Sequence, residues 1–342
     1  MVAFYVIPHI HRCHLNLIET KITPRLKMLA KPAKALHPDN FGELQVRQNT
    51  LEVSAANKAK TVVSLTAVAM LAFAANSVLC RLALRHTEID PTSFTLIRLL
   101  SGAIVLWVLL VIKGTPRRSS GTWLGAFSLF VYAFAFSYAY VNLETGTGAL
   151  LLFGAVQLTM FLYGYCRGER MQGLALVGLL LALGGLVALL LPGASAPPLA
   201  SAGIMLLSGI AWAGYSLIGK QSNDPLAATA GNFLRAIPIM LLASIPFIDK
   251  FSVDAYGVLC AMASGTIASG VGYAIWYAAI RSLSSFRAAT VQLSVPVLAS
   301  IAGILILGEH LTLRLALTSL AVLGGIGLVL SDKRSANGRQ PT

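Results

Sequence analysis

Single polar and aromatic residues interrupt the long apolar stretches of this 342-residue chain. Amide, hydroxyl and indole groups inside a membrane protein form hydrogen bonds and offer aromatic faces, which a cavity needs to hold a small molecule. We therefore predict a substrate cavity that includes Asn76, Gln157, Trp212, Tyr215, Arg235, Gln292 and Pro296. Hydrogen bonding between helices is the alternative role for the two glutamines, Asn76, Trp212 and Tyr215.

Two of these residues impose special constraints on their segments. Arg235 lies about ten residues into an apolar stretch, where a cation is costly unless it is paired or faces water. Pro296 removes one backbone hydrogen bond, so we expect its helix to bend near Gln292. The freed carbonyls then face either a substrate or a neighbouring helix that satisfies them.

Three charged residues are predicted to have structural or gating roles. Arg98 lies about five residues into its segment, so its long side chain is expected to reach the membrane interface. Glu169 and Glu309 stand at the ends of apolar segments, where charge anchors a helix end; a gating contact is the alternative. No acid or histidine lies deep in a predicted span, so the sequence contains no visible proton relay and leaves the coupling ion unassigned.

The composition predicts an all-α membrane protein. The chain is 56% hydrophobic and 11% charged, and its mean hydropathy of +0.74 is far from that of a soluble domain. Because a spanning helix needs about 20 apolar residues, we predict ten transmembrane helices: 61–82, 93–113, 121–141, 145–165, 171–191, 199–219, 226–248, 254–276, 286–307 and 311–331. Residues 1–60 are predicted to form a basic, disordered cytoplasmic extension, and residues 332–342 a cytoplasmic tail.

An internal repeat divides the ten segments into two sets of five, residues 61–191 and 199–331. A shift of 140 residues aligns Gly168-Glu169 with Gly308-Glu309, and Gly184-Gly185 with Gly324-Gly325. Chance recurrence of glycine in apolar helices is the alternative explanation. Since five spans is an odd number, the second repeat is expected to enter the membrane from the opposite side, an arrangement that places a binding site between the halves.

Three stretches resemble the EamA-type branch of the drug/metabolite transporter superfamily. They are "ANSVLCRLALRHTEIDPTSFTLIRLLSGAIVLW" (75–107), "SGIAWAGYSLIGK" (208–220) and "SGVGYAIWYAAIRSLSSFRAATVQLSVPVLASIAGILILGEHLT" (269–312). The resemblance covers about residues 61–331 and implies a ten-helix bundle with a central cavity that exports small metabolites or drug-like compounds. One departure is that Val156 occupies the first-repeat position that corresponds to Pro296.

We therefore predict a secondary transporter of the bacterial inner membrane, with a small-molecule substrate, lipid neighbours and no nucleic-acid partner. Helices one, six and nine are expected to form the central site. A flippase-like carrier of lipid-linked or sugar-containing substrates and a non-transporting membrane scaffold are the alternatives. An integral membrane enzyme would need acids, histidines or cysteines clustered at one depth, which the sequence lacks. No cofactor or metal site is predicted, and the tract His9, His11, Cys13 and His14 is interpreted as incidental.

The distribution of positive charge predicts the orientation. With the N-terminus inside, 20 lysines and arginines fall on the cytoplasmic side and 4 on the other, so both termini are expected in the cytoplasm.

Reporter domains fused after Ala194 and after Lys220 test this orientation. We expect the first fusion to be active outside and the second inside, and the reverse pattern would contradict the assignment.

Overall fold

The computed structural model is all-helical over the residues that it describes, 40–114, 120–166, 173–193, 195–219, 222–280 and 291–337. Side chains are described from Lys60 to Val329 within these ranges, except at Ile280. A helix occurs within each of the ten predicted segments. The helices are α1 Asn40–His86, α2 Pro91–Ile112, α3 Trp123–Tyr140, α4 Thr145–Cys166, α5 Leu174–Leu190, α6 Leu199–Gly219, α7 Pro225–Ser244, α8 Ala255–Ile280, α9 Ser294–Leu307 and α10 Leu313–Asn337.

Within the described residues, seven helices are long and apolar enough to cross a membrane, and α5, α9 and the Leu313–Val329 part of α10 are apolar but shorter. Residues 40–60, which belong to the predicted extension, are helical in the structure. No proline lies between Pro38 and Pro91 to interrupt that helix. Residues 1–39 lie outside the described residues, and α10 continues beyond the predicted start of the tail to Asn337.

Three helices change helix type or are interrupted by a turn. A short 3-10 helix, Ile245–Lys250, extends α7. The middle of α8, Ser264–Val271, is a π-helical segment, and such segments commonly mark functional sites. A turn at Leu293 separates α9 from helical residues 291–292, close to the predicted bend, while Pro296 lies in the first turn of α9.

Matching capping residues begin the second helix of each repeat. The Asp90 carboxylate accepts hydrogen bonds from the backbone N–H groups of Thr92 (2.8 Å) and Ser93 (3.0 Å). Asp224 similarly accepts from the N–H of Ala227 at 3.3 Å. A proline follows each aspartate as the first helical residue, where its missing N–H costs nothing. The same Asp-Pro signal therefore starts α2 and α7.

Three helices of the first repeat pack against their counterparts in the second. These pairs are α2 with α7, α4 with α9, and α5 with α10. In the α5–α10 pair, a Cβ atom added to Gly325 would lie 2.5 Å from the Gly178 carbonyl oxygen and 2.6 Å from the Ala182 nitrogen. Gly325 therefore permits close contact between the two backbones, as small residues do in membrane helices.

Replacing Gly325 with alanine is expected to force α5 and α10 apart and to lower stability by about 1–3 kcal/mol, as overpacking does. Gly324 provides a matched control, because a Cβ atom there meets no atom within 4 Å. We expect Gly325→Ala to lower the thermal unfolding temperature of detergent-purified protein, and Gly324→Ala to leave it unchanged or raise it slightly. Equal effects of the two substitutions would contradict this packing.

Candidate functional site

A small cavity lies where five helices of the bundle meet. Its lining comes from α1, α3 and α4 of the first repeat and from α6 and α8 of the second. The side chains at its wall include Phe73, Asn76, Tyr132, Phe136, Trp212 and Tyr273. Its free volume of about 20 Å³ is room for about one water molecule. The described conformation is therefore too tight for a metabolite.

Hydrogen bonds connect the polar part of this wall across four helices. The Tyr132 hydroxyl accepts from Arg98 Nη2 at 3.1 Å and from Asn76 Nδ2 at 3.3 Å. Asn76 Oδ1 accepts from the Ser264 hydroxyl at 2.6 Å, and Ser269 accepts from Arg98 Nε at 3.2 Å. Both serines belong to the π-helical segment of α8. The network therefore joins α1, α2, α3 and α8 at one point.

Aromatic rings form the other part of the wall. The Trp212 ring lies 4.7 Å from that of Tyr132 and 5.2 Å from that of Tyr273, measured between centroids. Phe73 packs edge-on against Trp212, Tyr273 and Trp276 at 5.9 to 6.4 Å. These rings come from α1, α3, α6 and α8, so both repeats contribute to one apolar surface beside the polar network.

Arg98 was expected to extend its side chain to the membrane interface, but the structure shows that side chain 1% exposed and enclosed by its neighbours. Helix α2 begins at Pro91, so Arg98 is about 10 Å along the helix axis, and α3 and α8 cover it there. Its guanidinium carbon lies 5.3 Å from the centre of the Tyr132 ring and 5.1 Å from that of Phe136.

Burial of this cation is energetically demanding. An unpaired charge inside a membrane protein costs on the order of several kcal/mol, and cation–π contacts offset about 1–2 kcal/mol of that. In the described part of the chain, neither of the two ion pairs, Arg81–Glu309 and Lys113–Asp224, involves Arg98. Sequence reasoning missed this burial because the sequence does not show which helix faces meet around Arg98.

The predicted cavity residues divide into two groups. Asn76 and Trp212 line the cavity, and Tyr215 packs behind Trp212 with 5.5 Å between ring centroids. The other four, Gln157, Arg235, Gln292 and Pro296, are not among the lining residues. Gln157 is nonetheless 2% exposed, inside α4. Arg235 Nη1 donates to the Gly231 carbonyl of its own helix at 3.0 Å, so that helix meets part of its hydrogen-bonding demand.

Helix α9, which was expected to contribute to the site, is absent from the described lining. Helices α3, α4 and α8 contribute instead. Tyr132 and Tyr273 were visible in the sequence as polar residues within spans, but nothing there distinguished them from Tyr138. The small-residue run "SGTIASG" (264–270) is a sequence signal of close contact between helices. At Gly265, for example, an added Cβ atom would overlap the Arg98 carbonyl oxygen.

Glu309 connects three helices at the end of α9. Both of its carboxylate oxygens lie 2.9 Å from the backbone nitrogen of Thr145, the first residue of α4, and Oε1 also accepts from the Thr145 hydroxyl at 3.0 Å. Arg81 Nε lies 3.5 Å from Oε1. Arg81 Nη1 also donates to the carbonyls of Tyr140 (2.9 Å) and Val141 (2.8 Å). Glu309 thus serves as a cap for α4 and a partner for α1.

A second acid, Glu144, adjoins this contact. Partial burial raises the pKa of the Glu144 carboxyl above its ordinary value, and the neighbouring Glu309 carboxylate raises it further. Arg81 and His310 act in the opposite direction. A gating role for Glu309 stays a prediction, and Glu169 lies outside the described residues.

Comparison with known proteins identifies relatives over most of the chain. The model of the EamA-like transporter family matches twice, at residues 60–191 and 200–331. An uncharacterised protein of Pseudomonas aeruginosa is 56% identical over 277 residues, which cover 81% of this chain and 96% of that protein. A probable amino-acid metabolite efflux pump of Escherichia coli is 26% identical, over 54% of this chain and 67% of the pump.

A more distant relative and a solved structure extend the comparison. An uncharacterised transporter of Clostridium kluyveri is 24% identical, over 72% of this chain and 86% of that protein. A crystal structure with 18% sequence identity superimposes with a TM-score of 0.58, covering 79% of this chain and 99% of its own. At this sequence identity, the likeness concerns the fold alone.

Proposed function

Because the chain belongs to the EamA-like transporter family, we propose that it is a secondary transporter that exports a small organic metabolite by alternating access. The observation that carries this proposal is the central cavity, whose wall combines residues of both family matches. Sites between repeats are a general feature of secondary transporters, because one repeat can rock against the other around a fixed site.

The tightness of the cavity supports the alternating-access part of the proposal. A free volume of about 20 Å³ does not admit an amino acid or a drug-like compound. A substrate therefore enters only when the helices around the cavity separate. Trp212 and Tyr132 belong to different repeats and face each other at 4.7 Å, so movement of one repeat against the other would widen the space between them.

We also propose that all ten helices span the bilayer, as two inverted five-helix repeats with both termini in the cytoplasm of a bacterial cell. The packing of α2, α4 and α5 against their counterparts supports this arrangement. The excess of positive charge on one side supports the orientation.

Amino acids and drug-like compounds are the first substrates to test, since one relative is named as a probable amino-acid metabolite efflux pump.

Uptake into proteoliposomes tests the transport proposal. We expect saturable uptake of at least one member of a labelled panel of amino acids, cationic drugs and sugars, with and without a pH gradient. Trp212→Ala removes a ring from the cavity wall, so we expect kcat/KM to fall at least about ten-fold, a loss of about 1.4 kcal/mol in transition-state stabilisation.

Trp107→Ala is the matched control, because Trp107 is 56% exposed on the outer face of α2 and does not line the cavity. We expect this variant to transport like the wild type. Equal losses in the two variants would contradict the assignment of the cavity as the transport site. The absence of uptake of every compound by folded wild-type protein would contradict the transport proposal itself.

A further inference from the structure

The central network contains hydrogen-bond donors that lack acceptors. Arg98 donates through Nε to Ser269 and through Nη2 to Tyr132. Its Nη1 atom is buried and has no hydrogen-bond partner among the described residues, and the same is true of the Tyr273 hydroxyl. Buried polar groups are normally paired, so these two groups require an explanation.

Both groups belong to the same part of the molecule. Tyr273 lines the cavity and stands four residues after Ser269, which already binds the Arg98 guanidinium. Arg98 lies directly behind two other lining residues, Tyr132 and Phe136, whose rings its guanidinium contacts. Tyr273 therefore borders the cavity directly from α8, and Arg98 of α2 lies one layer behind its wall.

The surroundings of these donors contain no compensating negative charge. The ten residues that line the cavity include no aspartate or glutamate. Among them, the Asn76 side-chain oxygen is already occupied by the Ser264 hydroxyl. A carboxylate is an acceptor with two oxygens, and it binds a guanidinium through charge-assisted hydrogen bonds. An anion would thus supply the acceptors and the charge that are missing here.

We propose that the substrate of this cavity is a small organic monocarboxylate with an aromatic or apolar body. Its carboxylate binds Arg98 Nη1 and the Tyr273 hydroxyl, and its body packs against Phe73 and Trp212. This assignment rests on the proposed transport function and names the class of compound that the cavity takes. The lining contains no acid that could pair with a free ammonium group. An acylated or deaminated acid is therefore preferred over a zwitterionic amino acid.

Entry of the carboxylate requires a local rearrangement of the wall. Tyr132 stands between the guanidinium and the free space, and its hydroxyl accepts from Arg98 Nη2 at 3.1 Å. Opening of the cavity moves this ring, which breaks the bond from Arg98 Nη2 to Tyr132 and gives the carboxylate access to Nη1 and Nη2 together. Arg98 consequently acts as a specificity-determining residue that is exposed to the substrate in the open state.

Ligands that share one aromatic body and carry different charges test this assignment in the wild-type protein. The three probes are N-acetylphenylalanine, which is an anion, its neutral amide, and phenylalanine amide, which is a cation. Dissociation constants are measured with detergent-purified protein by titration calorimetry, which avoids passive diffusion of the neutral probe. We expect the anion to bind at least ten-fold more tightly than either amide. Equal or tighter binding of an amide would overturn the proposal.

Substitutions at Arg98 separate substrate recognition from a purely structural role. We expect Arg98→Gln to lose the preference for the anion, and Arg98→Lys to retain it with weaker binding. Lys113→Gln, which removes an exposed cation paired with Asp224, is the control and is expected to keep the full preference. A folded Arg98→Gln protein that keeps the ten-fold preference would overturn the assignment. If Arg98→Gln does not fold, the comparison of the three probes in the wild-type protein and the binding preference of Arg98→Lys test the assignment.

Uptake of the same probes distinguishes this proposal from the transport function on which it rests. Uptake of an amide in place of the anion would overturn the assignment of the substrate class and leave transport standing. Tight, selective binding of the anion without uptake of any compound would support the class and contradict transport.

Discussion

The buried guanidinium of Arg98 is the interaction around which the centre of the protein is organised. It joins α2 to α3 through Tyr132 and to α8 through Ser269, and Asn76 of α1 shares the Tyr132 hydroxyl. A cation held away from water requires dense polar and aromatic surroundings. The small residues of the π-helical segment in α8 meet this requirement, because they let its backbone approach α2 closely. The geometry of the cavity follows from that approach.

Contacts at the helix ends fix the frame that surrounds this centre. Asp90 and Asp224 start equivalent helices of the two repeats with the same Asp-Pro signal. Glu309 satisfies the first N–H of α4 from the end of α9 and pairs with Arg81 of α1. The α5–α10 contact through Gly325 adds a close backbone interface away from the cavity.

Much of this architecture was predictable from the sequence, because apolar length and charge are local properties. The positions of the ten helical segments follow from the length of the apolar stretches. The cavity residues Asn76 and Trp212 follow from single polar or aromatic groups within those stretches. Trp276 is the last residue of the predicted span 254–276, yet it is 7% exposed and packs on Phe73. Its position in the sequence, near the predicted end of a span, does not reveal that α8 extends to Ile280.

The placement of charged residues was harder to predict, because it depends on which helix faces meet. Arg98 and Arg235 each follow a leucine or isoleucine in an apolar helix, yet Arg98 is enclosed by α3 and α8 while Arg235 bonds to its own helix. Helical periodicity alone does not decide between these outcomes. Likewise, Pro296 marks a discontinuity near Leu293, but a bend in a helix does not determine whether that helix reaches the cavity.

The central claim, that this cavity is a transport site open in turn to each side of the membrane, is tested most directly by accessibility. Ala268 lines the cavity and is 1% exposed. In a background whose four native cysteines are replaced by alanine, an Ala268→Cys protein would be treated with a membrane-impermeant thiol reagent from each side separately. We expect modification from both sides and protection by a transported substrate. Modification from one side only, in protein that still transports, would contradict alternating access at this cavity.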